Sequence, residues 1–142
     1  MTIPMWMLLG FATWTLLLLM ATVGVYRWAR ILFSNAPIAS FRSDRLEGED
    51  WYRRGVRAHA NCVENLPVFG VIVWVISALG VEGPTVNYLS ILILVARVCQ
   101  SLVHVCHEQT NAFVAVRFSF FFVQLACFLT LIVMAAGYGT IF

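Results

Sequence analysis

Residues 57–64 hold Arg57, His59, Asn61 and Glu64 and lead directly into an apolar segment of membrane length. On a helix Arg57, Asn61 and Glu64 stand at i, i+4 and i+7, so they share one face. Further on, Arg97, Gln100 or Ser101, and His104 recur at helical spacing and give a second segment its own polar face. Arg117 follows, ahead of an uncharged stretch that covers residues 118–142. Several cations, one carboxylate and a few amides suit a small polyanionic or zwitterionic molecule. An Arg aimed into such a site can also stabilise an anion such as a thiolate by charge-assisted hydrogen bonds. The alternative for Arg117 is an interfacial side chain snorkelling to the headgroups. Arg27 and Arg30 read first as membrane anchors, and His104 serves equally well as a structural hydrogen-bonding group.

Other chemistries find little support. No Ser-His-Asp order, phosphate loop or paired-carboxylate arrangement stands out. His104 and His107 share a helical face while Cys106 points elsewhere, and no second ligand pair has a recognisable spacing, so no metal is expected. Every basic residue is an Arg and the formal charge is only +2. No nucleic-acid partner is expected from that balance.

The segments that must position these groups are apolar. Hydrophobic residues make up 61% of the 142, charged residues 11%, and the mean hydropathy is +0.86. A soluble domain is typically about 45–50% apolar, so the chain reads as an all-α integral membrane protein, one domain over residues 1–142. The start lacks a basic segment and a small-residue cleavage site, so the first apolar run reads as a retained helix. Cys62, Cys99, Cys106 and Cys127 all fall in expected helices and read as buried free thiols.

Run lengths set the spans, expected over about residues 3–27, 52–80, 84–107 and 113–141, with a helical start possible from Asp44. Begun at Pro67, the second would reach only to about residue 81, roughly 22 Å at 1.5 Å per residue, short of a core of about 30 Å. It must therefore start upstream, drawing Asn61 and Glu64 towards the membrane, with Pro67 as a kink. The third has an uncharged run only from residue 85 to 96, so it continues through Arg97. An intramembrane Arg costs about 3 to more than 10 kcal/mol and needs a partner; Glu64, at similar depth on the neighbouring span, is the expected one in a buried pair.

Arg27, Arg30, Arg42, Arg45, Arg53, Arg54 and Arg57 lie in or beside the first connection, seven of the nine cations, while the second connection holds only Glu82. The positive-inside rule places the first and third connections in the cytoplasm and both termini outside. Arg57, Asn61, Glu64, Arg97, His104 and Arg117 then gather in the cytoplasmic half.

The pattern Arg57-x-x-x-Asn61-x-x-Glu64-x-x-Pro67 on the second of four spans, Arg97 with a polar residue at the seventh position on the third, and Arg117 early on the fourth resembles the membrane-associated proteins in eicosanoid and glutathione metabolism, among them the microsomal glutathione transferases. The resemblance covers nearly the whole chain. It implies a homotrimer of four-helix bundles with glutathione bound between subunits on the cytoplasmic side. It further implies that Arg57, Asn61, Glu64, Arg97, Gln100 and His104 hold glutathione, with Arg27 and His59 as additional contacts. Arg117 would hold the thiolate for attack on a lipophilic, membrane-dissolved electrophile or peroxide. His104 stands where several members carry Tyr, and Phe118 follows Arg117 where some carry Ser.

Two classes of function are compatible with this pattern. One is a glutathione-dependent transferase or peroxidase; the other is a non-catalytic lipid-binding or interaction protein of the same fold. Retention of Arg57, Glu64, Arg97 and Arg117 favours the enzyme. A proton pathway through Glu64, His104 and Arg97 would need a continuous polar path, and the outer halves of all the spans are apolar.

Overall fold

The computed structural model describes residues 1–41 and 48–139. Arg42, Arg45, the possible helical start at Asp44 and the end of the fourth span at Ile141 lie outside the described residues. Among the described residues the chain is helical with no strand. Four helical stretches are long and apolar enough to cross a membrane: Ile3–Ser34, Asp50–Ala78, Pro84–Cys106 and Asn111–Gly139. The number of such helices is the four expected from run lengths, and the first runs on past Arg27.

The first stretch comprises α1 (Ile3–Leu19), a π-helical turn over Met20–Gly24, and α2 (Val25–Ser34). Pro4 sits at the start of α1, where its missing N–H costs nothing. Pro4, Phe11, Thr15 and Leu18 form the buried stripe of α1. Where the π turn crosses the second span, Thr22 is buried against Gly55, and a Cβ at Gly55 would lie 2.6 Å from the Thr22 Cβ. Only glycine allows that approach. Asn35, in the left-handed region at φ 47°, ends α2.

α3 (Asp50–Ala78) continues through Pro67 as one helix, and α4 (Pro84–Cys106) follows a tight turn. Gly80 has φ +64°, its N–H donates to Ser77 O at 3.3 Å and the Val81 N–H to Ile76 O at 3.0 Å, while Val81 and Ile76 are both buried. This is a Schellman cap with its hydrophobic contact. α5 (Asn111–Gly139) starts after Thr110, whose hydroxyl accepts from the Phe113 N–H at 3.4 Å.

α4 packs against α1, α3 and α5. The core holds Phe11, Phe69, Ile93, Phe128 and Leu131, with the Phe11 and Phe128 rings 5.9 and 6.0 Å from that of Phe69. Leu17, Met20, Trp74, Val95, Phe122 and Val133 are more than half exposed, as side chains facing lipid would be. Of the cysteines, Cys62 and Cys127 are buried free thiols as expected, whereas Cys99 is half-buried and Cys106 exposed. Cys106 sits in the last position of α4.

Candidate functional site

The buried face of α4 changes character along its length. Val86, Ser90 and Ile93 occupy one end, and Arg97, Gln100, Ser101 and His104 occupy the other. Arg97 is only 1% exposed. Its guanidinium carbon lies 5.6 Å from the centre of the Phe11 ring, a cation–π contact with the middle of α1. Its Nε and Nη2 have no hydrogen-bond partner. The expected buried pair with Glu64 does not form: Glu64 is exposed, and no ion pair joins it to Arg97. The aromatic ring covers part of the cation, and the Glu64 carboxylate acts on it only at longer range.

Arg97 lines a cleft of about 230 Å³ together with Asn61, Glu64 and Asn65 from α3, Gln100 from α4, and Arg117, Phe118 and Phe121 from α5. Asn61, Glu64, Arg97, Gln100 and Arg117 are thus brought together from three helices. The cleft lies towards the end of the bundle that carries the first connection and the α4–α5 turn. Two cations, one carboxylate and three amides face it, beside two aromatic rings.

The remaining residues singled out in the sequence lie elsewhere. Arg57 is exposed and does not line the cleft. His104 is buried in the polar column of α4, two turns beyond Arg97. His59 points to the first span, where its Nδ1 donates to Thr15 O at 3.2 Å, the carbonyl being able only to accept. Arg27 donates from Nε to the Tyr52 hydroxyl at 3.1 Å and lies 5.7 Å from the Phe41 ring centre. Tyr52 in turn stacks on Tyr26 at 4.1 Å, so Arg27 belongs to an aromatic corner joining α2 to α3.

Hydrogen bonds behind the cleft hold α4 in register. Arg54 Nε donates to Val105 O at 3.2 Å, satisfying a carbonyl in the last turn of α4. Ser101 Oγ donates to Arg97 O at 2.8 Å, which leaves the Cys62 thiol as donor in the 3.5 Å contact between Cys62 Sγ and Ser101 Oγ. Gln124 of α5 donates from Nε2 to Gln100 Oε1 at 2.9 Å and to Phe120 O at 3.0 Å. Asn65 and Gln124 were not singled out from the sequence. Gln124 had a signal, being the lone amide in a long apolar span. His107 packs its ring 4.1 Å from that of Phe113, and among the described residues no three His, Cys, Asp or Glu side chains come together as a metal site.

A family model of the MAPEG family matches residues 3–137. The chain belongs to the MAPEG family. Comparison with curated proteins and with solved structures gave no significant match. For this MAPEG chain the family points in general to membrane glutathione and eicosanoid metabolism, and the match takes in every residue that lines the cleft.

Proposed function

We propose that this protein is a membrane-bound glutathione-dependent transferase or peroxidase acting on lipophilic substrates dissolved in the bilayer. The observation that carries this reading is Arg97, a cation buried in the bundle with two unpartnered nitrogens at a cleft shared with Glu64 and Arg117. A buried charge of that kind calls for an anionic ligand. Glutathione fits the donor set: its carboxylates suit the arginines and Gln100, and its amino group suits Glu64. When bound it supplies a thiol whose anion attacks an electrophilic carbon or a peroxide oxygen. In this reading Arg97, Gln100, Asn61 and Glu64 bind and orient the tripeptide, with His104, Arg57, Arg27 and His59 as further contacts. Arg117 donates hydrogen bonds to the thiolate and keeps it ionised for attack.

The same reading includes a homotrimer and a cytoplasmic site. The cleft of one subunit, about 230 Å³, falls below the roughly 300–1,000 Å³ usual for ligand pockets, and Arg57 and Glu64 remain exposed beside it. A neighbouring subunit closing over these charges would complete the site. Arg27, Arg30, Arg53, Arg54 and Arg57 border the first connection, which supports placing that end in the cytoplasm. The test is direct. Detergent-solubilised protein should bind glutathione and conjugate a chloro-nitrobenzene; binding without turnover of electrophile or peroxide would favour the non-catalytic role, and neither would sink the proposal.

A further inference from the structure

Gln124 is 1% exposed and does not line the cleft, yet it reaches the cleft through one neighbour. Both protons of its amide nitrogen are committed, one to Phe120 O and one to Gln100 Oε1. The Phe120 carbonyl can only accept, so the nitrogen of Gln124 must face it. Turning the Gln124 amide over would set its oxygen against two other oxygens. Turning the Gln100 amide over would set two NH₂ groups against each other. The backbone of α5 therefore dictates the orientation of both amides.

The consequence falls on the far end of Gln100. Its oxygen is taken by Gln124, and among the described residues its Nε2 has no hydrogen-bond partner, while Gln100 lines the cleft. We infer that Gln124 is a positioning residue that locks the Gln100 amide with its NH₂ group turned to the cleft, where it donates to an oxygen of the bound anion. The inference rests on the glutathione reading of the cleft and adds a specificity element to it. An unlocked Gln100 offers either its donor or its acceptor face, and the acceptor face repels a carboxylate. Gln124 does not touch the ligand. The lock also explains a buried amide that leaves its own Oε1 without a donor, a cost that an apolar residue would avoid.

The test is a double-mutant cycle on glutathione affinity, using detergent-solubilised protein and the variants Gln124→Met, Gln100→Met and the pair. Methionine keeps the length and suits an apolar helix. Gln100→Met should weaken binding about ten-fold, the scale of one hydrogen bond to a charged group, and Gln124→Met by a lesser but clear factor. The pair should bind no worse than Gln100→Met alone. A Gln124 with a merely structural role would instead lower thermal stability and weaken binding equally on both backgrounds. If Gln124→Met prevents folding, Gln124→Glu replaces it, its carboxylate drawing the Gln100 NH₂ away from the cleft and weakening binding as much as Gln100→Met. Unchanged affinity in Gln124→Met, or additive losses in the pair, overturns the inference alone. Failure of the unmodified protein to bind glutathione overturns the reading of the cleft and the inference with it.

Discussion

The Arg97 guanidinium lies 5.6 Å from the centre of the Phe11 ring, joining the cationic cleft to the aromatic core of the bundle. One face of the cation is covered by Phe11, and Phe11 is itself packed on Phe69. The side chain is fully buried, yet Nε and Nη2 find no acceptor. In the proposed reading such a group is held for binding at some expense in stability, and the two roles can be separated.

Arg97→Met should lower glutathione affinity by more than ten-fold, about the loss of a charge-assisted hydrogen bond. In the same variant the thermal midpoint in detergent should stay level or rise, because an apolar side chain of similar length replaces a buried charge with unpartnered nitrogens. A marked fall in the midpoint would show that Arg97 is a structural cation.

Arg117→Ala should spare binding and remove turnover. Its assigned task is to hold the thiolate, an interaction stronger in the reacting complex than in the bound ground state. The expected pattern is a glutathione dissociation constant within about three-fold of the unmodified protein and a kcat reduced by about 10² or more, the scale of a single anion-stabilising donor. Equal losses in both would contradict the division of labour between Arg97 and Arg117.

Arg27→Ala distinguishes the aromatic corner from the cleft. The substitution removes the hydrogen bond to Tyr52 and the packing on Phe41. Stability should fall by about 1 kcal/mol, and Tyr52→Phe should reproduce part of that fall. The loss in glutathione affinity should be smaller than that of Arg97→Met, as measured side by side by calorimetry.

Gly55→Ala tests the close crossing of the π turn and α3. The added methyl would meet the Thr22 Cβ at 2.6 Å, so overpacking should cost about 1–3 kcal/mol in thermal unfolding. Gly70→Ala on the same helix is the control, since its nearest neighbour is Leu8 Cδ1 at 4.0 Å. That variant should be neutral or slightly stabilising.

The four spans were legible because run length against bilayer thickness is a strong constraint. The same counting forced Arg97 into the bundle and Asn61 and Glu64 onto the entering half of α3. Which group meets Arg97 was not legible. Charge complementarity pointed to Glu64, but a ring near the middle of an uncharged α1 carries no mark that distinguishes Phe11 from its lipid-facing neighbours. Arg27 was singled out by resemblance, and its hydrogen bond to Tyr52, a contact across the first connection, is one that spacing does not reveal. The π turn at Met20–Gly24 likewise has no clear signature in a run of apolar residues. Gln124 was legible in principle, because a lone amide in an apolar span needs a reason.

Titration of glutathione into detergent-solubilised protein, with heat as the readout and Arg97→Met in parallel, tests the central claim most directly. Saturable heat at or below millimolar glutathione, lost in Arg97→Met while that variant stays folded, is the expected result. No saturable heat from the unmodified protein, or the same heat from both, would contradict it.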